Sequence, residues 1–146
     1  MKGTVTFNEV DGVEFEIELI PMREKKEMLL SAMAKRKSWK KNDSDLDLNE
    51  FTRAQVMRSV VGWTGLKNKH LSQILSAERK ADGLWGFQGE LSAAGKYSAN
   101  HEIEYSEDFK KTIAENCSIR FGNFVSYAQD YLEEQQQKQI DDELKN

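Results

Sequence analysis

Apolar and polar residues alternate at the start of the chain. Val13, Phe15, Ile17 and Leu19 are separated by Glu14, Glu16 and Glu18, and Val5 and Phe7 alternate with Thr4 and Thr6. A period of two is that of a strand with one buried face, and Asp11-Gly12 between the runs supplies turn chemistry, so the pattern predicts a β-hairpin. Its acidic face must meet water and its apolar face must be covered, because an isolated hairpin is marginal. Pro21, the only proline, ends the second strand and leads into a helix. Leu29, Leu30 and Met33, with Met22 earlier, form an apolar stripe on that helix, and Lys35, Arg36 and Lys37 suit the negative end of its dipole.

The most apolar and most distinctive stretch is Phe51 to Leu66, FTRAQVMRSVVGWTGL. With Val56 at zero on a helical wheel, Val60 and Trp63 fall within about 40° of it. Met57 and Val61 lie to one side, and Gln55, Arg58 and Ser59 lie outside the arc. The spacing predicts an amphipathic helix running into a Gly-Trp-Thr-Gly stop. Gly62 and Gly65 bracket Trp63, so the backbone can bend there and another element can approach closely. Val56, Val60 and Trp63 are expected in the core.

Between these elements, residues 35–50 switch from basic (KRKSWKK) to acidic (NDSDLDLNE), which reads as a charged connector. Asp47 is a candidate N-cap with Glu50 as its return partner. Further on, Asn68 is a candidate cap for a helix bearing Leu71, Ile74 and Leu75 and ending near Gly83, with His70 an exposed or capping residue at its start. Residues 84–100, LWGFQGELSAAGKYSAN, lose all period and are expected to be a Gly- and aromatic-rich loop, in which Trp85, Phe87 and Tyr97 cover either the core or a partner. HEIEY after it suits an edge strand or an extended lead-in. Ser106 then caps a helix that buries Phe109 and Ile113, and Ser118 caps the last helix. On that helix Ile119, Val125, Ala128 and Leu132 share a side, and Phe121, Phe124 and Tyr131 widen it. Beyond Leu132 the period dissolves, so 133–146 is expected to be a polar tail, frayed or ordered against a partner.

Composition narrows the classes of function. A chain of 146 residues suits one domain; 38% hydrophobic and 32% charged residues imply a thin core under a large polar surface. A net charge of −4 excludes a globally basic nucleic-acid binder. Trp39 among its cations is the one local feature that suits single-stranded nucleic acid, so such binding is not expected to be the main role. One cysteine and no long apolar run leave no sign of disulfides, a membrane span or a secretory signal, which points to a soluble intracellular protein.

The chemistry of catalysis is not evident. There is no Gly-rich phosphate cradle, nucleophile elbow or paired histidine on a helix face. A calcium loop counted from Asp43 fails, with Leu48 at the turn position and Ala54 where a glutamate is needed. Cys117, followed by aromatics, reads as a packing thiol. No catalytic residue, metal ligand or cofactor is expected, and the chain is not read as an enzyme.

Three motifs carry a resemblance: VVGWTGL at Val60 to Leu66, an element of the type EIEYSEDF matched at Ile103 to Phe109, and the Lys145-Asn146 end. In this order they resemble the tail assembly chaperones of tailed phages. The chain departs from that pattern in the insertion at 84–100, where family members have a brief turn. The resemblance implies a non-enzymatic factor of the host cytoplasm that binds a tape measure protein and keeps its apolar helical segments soluble during tail assembly. Met22, Met28, Met33 and Met57 would suit adaptable contacts in such a role. The alternative is a small virion structural protein, a tail, connector or capsid-associated subunit, using the hairpin to extend a neighbour's sheet.

The expected fold is α+β and mainly helical, with the N-terminal hairpin packed on four or five helices. Val56, Val60, Trp63, Ile113 and Val125 are expected in the core, and Trp85, Phe87, Tyr97, Phe124 and Tyr131 are candidates for touching a partner.

Overall fold

The computed structural model describes residues 1–7, 12–39, 48–76 and 99–145. The hairpin forms as the alternation requires. Strands β1 (Lys2–Thr6) and β2 (Glu14–Glu18) pair antiparallel with Val5 opposite Phe15 and Thr4 opposite Glu16. Val5, Phe7, Val13, Phe15 and Ile17 are buried, while Glu14 and Glu16 face out.

The central stretch divides instead of remaining one helix. Helix α2 (Leu48–Ser59) stops before Val60, and Val60–Thr64 is a third strand, β3, paired antiparallel with β2 in the sheet order β1-β2-β3. The β-branched and aromatic run Val60, Val61, Trp63, Thr64 favours this. Glu16 pairs with Gly62 and Ile17 with Val60, so Val61 is the extra residue of a β-bulge. A bulge restores the inward phase one residue late, and so Val60 and Trp63, three apart, both face the core. Helical spacing and a bulged strand therefore leave the same imprint on the sequence.

Gly65 ends β3 at φ +77°, beside Gly12 at the same φ in the hairpin turn. A Cβ on Gly65 would run into the Gly12 carbonyl oxygen, so this corner closes only with glycine.

Helix α1 (Met22–Trp39) begins one residue after Pro21 and extends into the expected connector, whose last three residues belong to α2. Asp47 lies outside the described residues. Helix α2 is the hub: α1, α4, α5 and strands β2 and β3 all pack on it.

The helix expected from Asn68 to near Gly83 is much shorter. A 3-10 turn (Asn68–His70) leads into α3 (Leu71–Ile74), and Leu75 is already extended, bridging to Cys117. The N-cap position is Lys67 and not Asn68, and the buried His70 reaches back to it, its Nδ1 accepting the Lys67 amide at 3.1 Å. HEIEY is a lead-in, with the Ile103 amide donating to Leu66 O at 2.8 Å.

Ser106 caps α4 (Glu107–Asn116) by accepting the Phe109 amide, and Ser118 caps α5 (Ile119–Lys145) by accepting the Phe121 amide, both at 3.1 Å. Helix α5 lies across the sheet and α2. Phe121, Phe124, Val125, Ala128 and Leu132 face inward, but Ile119 is 84% exposed because at about 100° per residue it falls on the opposite side of the helix from them. The described elements share one core, in which Phe7, Phe15, Phe121 and Phe124 pack edge-on or tilted at centroid separations of 5.0 to 6.4 Å. The fold is α+β and mainly helical, with a three-stranded sheet in place of a bare hairpin.

Candidate docking surface

The feature that packing leaves unexplained is the outer face of α1. At about 100° per residue, Met22, Leu29 and Met33 fall within about 40° of each other and Leu30 about 60° further round. The side turned to the body carries Ala32, which is buried, with Met28, Glu24 and Lys25 half-buried. Met22 (55%), Leu29 (42%), Leu30 (64%) and Met33 (37%) are exposed. The stripe expected from the sequence therefore exists but points to solvent. Single exposed leucines are ordinary; four large apolar residues aligned along one helix mark a surface that another molecule can cover.

Helix α1 is held in that orientation by charge. Arg58 of α2 donates to Glu24 at 2.6 Å and lies 3.2 Å from Glu18 of β2. The hydrogen bond to Glu24, with that to Glu18 and the nearby negative charge, raises the Arg58 pKa further against the opposing effect of burial. At the same end, Lys25 meets Glu133 of α5 at 3.9 Å.

Helix α5 offers two further exposed groups. Tyr127 and Tyr131 stack at 6.4 Å with 25° between their planes. Ile140 and Leu144 lie on the distal part of the helix, 44% and 80% exposed.

Two polar clusters among the described residues tie elements together. Gln129 is buried and fully used: its Oε1 accepts the Ile20 amide at 2.9 Å and its Nε2 donates to Glu18 O at 2.8 Å, stitching α5 to the end of β2. Tyr105 donates to Glu107 at 2.7 Å, and Lys110 reaches both Glu107 and Met57 O at 3.1 Å. Burial, then the Glu107 hydrogen bond and charge, push the Tyr105 phenol up to about 12. The same hydrogen bond, together with Lys110, holds the Glu107 carboxyl below its ordinary value. This cluster seals Trp63, whose ring meets Tyr105 at 4.8 Å and whose Nε1 donates to Ile103 O at 2.9 Å.

A cleft of about 770 Å³ lies between the starts of α2 and α5, lined by Phe51, Arg53, Glu115, Cys117 and Asn123 among others. Burial pushes the Cys117 thiol up, so it is protonated and a poor nucleophile at neutral pH. Among the described residues no group of three His, Cys, Asp or Glu could hold a metal, and no helix is long and apolar enough to cross a membrane.

The five residues expected in the core, Val56, Val60, Trp63, Ile113 and Val125, are all buried in one cluster. Of the candidates for partner contact, Trp85, Phe87 and Tyr97 lie outside the described residues. Phe124 is corrected to a core residue, 7% exposed and 5.0 Å from Phe7, because the sheet needs an aromatic cover there. Tyr131 is exposed beside Tyr127. Of the four methionines named from the sequence, Met22 and Met33 are exposed; Met28 and Met57 are half-buried, the latter against the core. What sequence reasoning missed is that Leu29 and Leu30 join the exposed set. The available signal was Ala32, a small residue suited to close packing on α2.

No protein-family model matches the chain, no curated protein matches it, and no solved structure matches it.

Proposed function

We propose that this protein is a non-enzymatic assembly factor of the phage tail assembly chaperone kind, which binds apolar helical segments of a tape measure protein and keeps them soluble until the tail tube forms. The observation that carries the reading is the exposed stripe Met22, Leu29, Leu30 and Met33 on α1. The motifs VVGWTGL and EIEYSEDF support it by resemblance. A client helix would lay its apolar face against this stripe, and methionine repacks readily around different sequences. The net charge of −4 favours a soluble complex.

These side chains are about half exposed, so covering the rest of one is worth about half of the roughly 1.5–3 kcal/mol of full burial, and each serine substitution on the stripe should weaken client binding roughly 3- to 10-fold. The test is co-expression with a tape measure segment. The client should stay in the soluble fraction with the wild-type chain and sediment without it. A client equally soluble alone removes the reading. A neighbouring gene for a very long, helix-rich protein would support it further.

The alternative, a virion subunit, draws on β1 lying at the edge of its sheet, where it could pair with a neighbour's strand. Purified particles decide between the two: stoichiometric presence favours the subunit, and absence favours the transient factor.

A further inference from the structure

Residues 133–145 of α5 extend about 20 Å past Leu132, the last residue the core holds. Every side chain of this overhang is exposed except Gln135, which is half-buried. A helix of this length without tertiary support is marginal in water. One internal hydrogen bond, Gln137 to Asp141 at 3.1 Å, does little to offset that. The overhang carries five acidic residues against two basic ones, a net of −3, and two aligned apolar residues, Ile140 and Leu144. Helix α1 is its complement: six basic residues against two acidic, a net of +4, with an exposed apolar stripe. One pairing of this kind occurs within the chain, at the Lys25–Glu133 contact.

We propose that the chain forms a two-fold dimer in which the α5 overhang of each copy lies on the α1 stripe of the other. Ile140 and Leu144 cover Leu29, Leu30 and Met33, and a helix segment of negative net charge meets one of positive net charge. Two-fold symmetry makes the exchange reciprocal, so two equal contacts form at once. A dimer built this way weakens as salt rises, because salt screens the attraction between segments of opposite net charge. The overhang and a client helix would cover the same residues, so the dimer is a state of the protein alone that client binding would displace; its test uses the protein without a client.

Two double variants test it by sedimentation velocity, with folding checked by circular dichroism. Leu30→Ser with Met33→Ser damages the stripe, and Ile140→Ser with Leu144→Ser damages the overhang. All four positions are exposed, so both variants fold. The wild type should be dimeric at about 100 μM, and each variant alone should dissociate at least about tenfold more readily. Mixing the two restores one intact contact, so the mixture should form heterodimers that neither variant forms with itself. A wild type that stays monomeric, a dimer that survives either pair of substitutions, or a mixture that remains monomeric would each overturn the proposal. The mixing arm excludes stripe-on-stripe and overhang-on-overhang dimers, which give no such rescue.

Discussion

Helix α5 turns Phe121, Phe124, Val125, Ala128 and Leu132 into the core, whereas α1 turns Ala32 inward and leaves Met22, Leu29, Leu30 and Met33 in solvent. The two helices have similar raw material and opposite use of it. Helix α5 covers a sheet whose inner face, with Phe7, Phe15 and Ile17, demands large apolar contact. Helix α1 sits outside that layer, on α2, where a small residue and the Arg58 ion pairs fix its position. Burial in the first case supplies stability; exposure in the second leaves a surface whose covering is worth free energy only when a partner arrives.

Substitutions on the two sides should therefore behave differently. The largest loss is expected for Trp63→Ala, which empties the space between Phe15, Tyr105 and Phe109 and should cost about 3–5 kcal/mol in denaturant unfolding. A melting point that barely moves would contradict the core described above. Gly65→Ala forces a Cβ against the Gly12 carbonyl at a φ that alanine tolerates poorly, for a loss of about 1–3 kcal/mol. Gln129→Leu leaves the Ile20 amide and the Glu18 carbonyl without their partner, again about 1–3 kcal/mol, readable as faster hydrogen exchange at Ile20.

Tyr105 gives a pH signature on the buried side. Its folded pKa is raised from 10 to about 12, so its stabilising contribution is complete below pH 10 and is lost as pH rises through about 12. Phenolate absorbance should show a late-titrating component, and Tyr105→Phe should remove it. The smallest effect on folding is expected for Leu30→Ser with Met33→Ser, within about 0.5 kcal/mol per substitution. If instead that pair destabilised the chain as Trp63→Ala does, α1 would be a core helix and the contrast with α5 would fail.

The hairpin, both serine caps and the inward placement of Val125, Ala128 and Leu132 on α5 are legible in the sequence because each rests on local chemistry: alternation, a capping hydroxyl, a helical stripe. Strand β3 is not, because a bulge at Val61 gives Val60 and Trp63 the i, i+3 spacing of a helix. The brevity of α3 is also hidden, since Leu71, Ile74 and Leu75 keep helical spacing although Leu75 is pulled out to bridge Cys117. Periodicity locates an apolar stripe but does not say whether anything covers it. That depends on tertiary contacts, and so the exposure of Leu29 and Leu30 and the burial of Phe124 emerge only from the fold.

The most direct test of the central claim is the soluble fraction of a co-expressed tape measure segment beside the wild type and beside Leu30→Ser with Met33→Ser. At a chain concentration too low for dimers, the variant should melt as the wild type does, yet it should leave the client in the pellet. A client kept equally soluble by both proteins would show that the α1 stripe is not the docking surface.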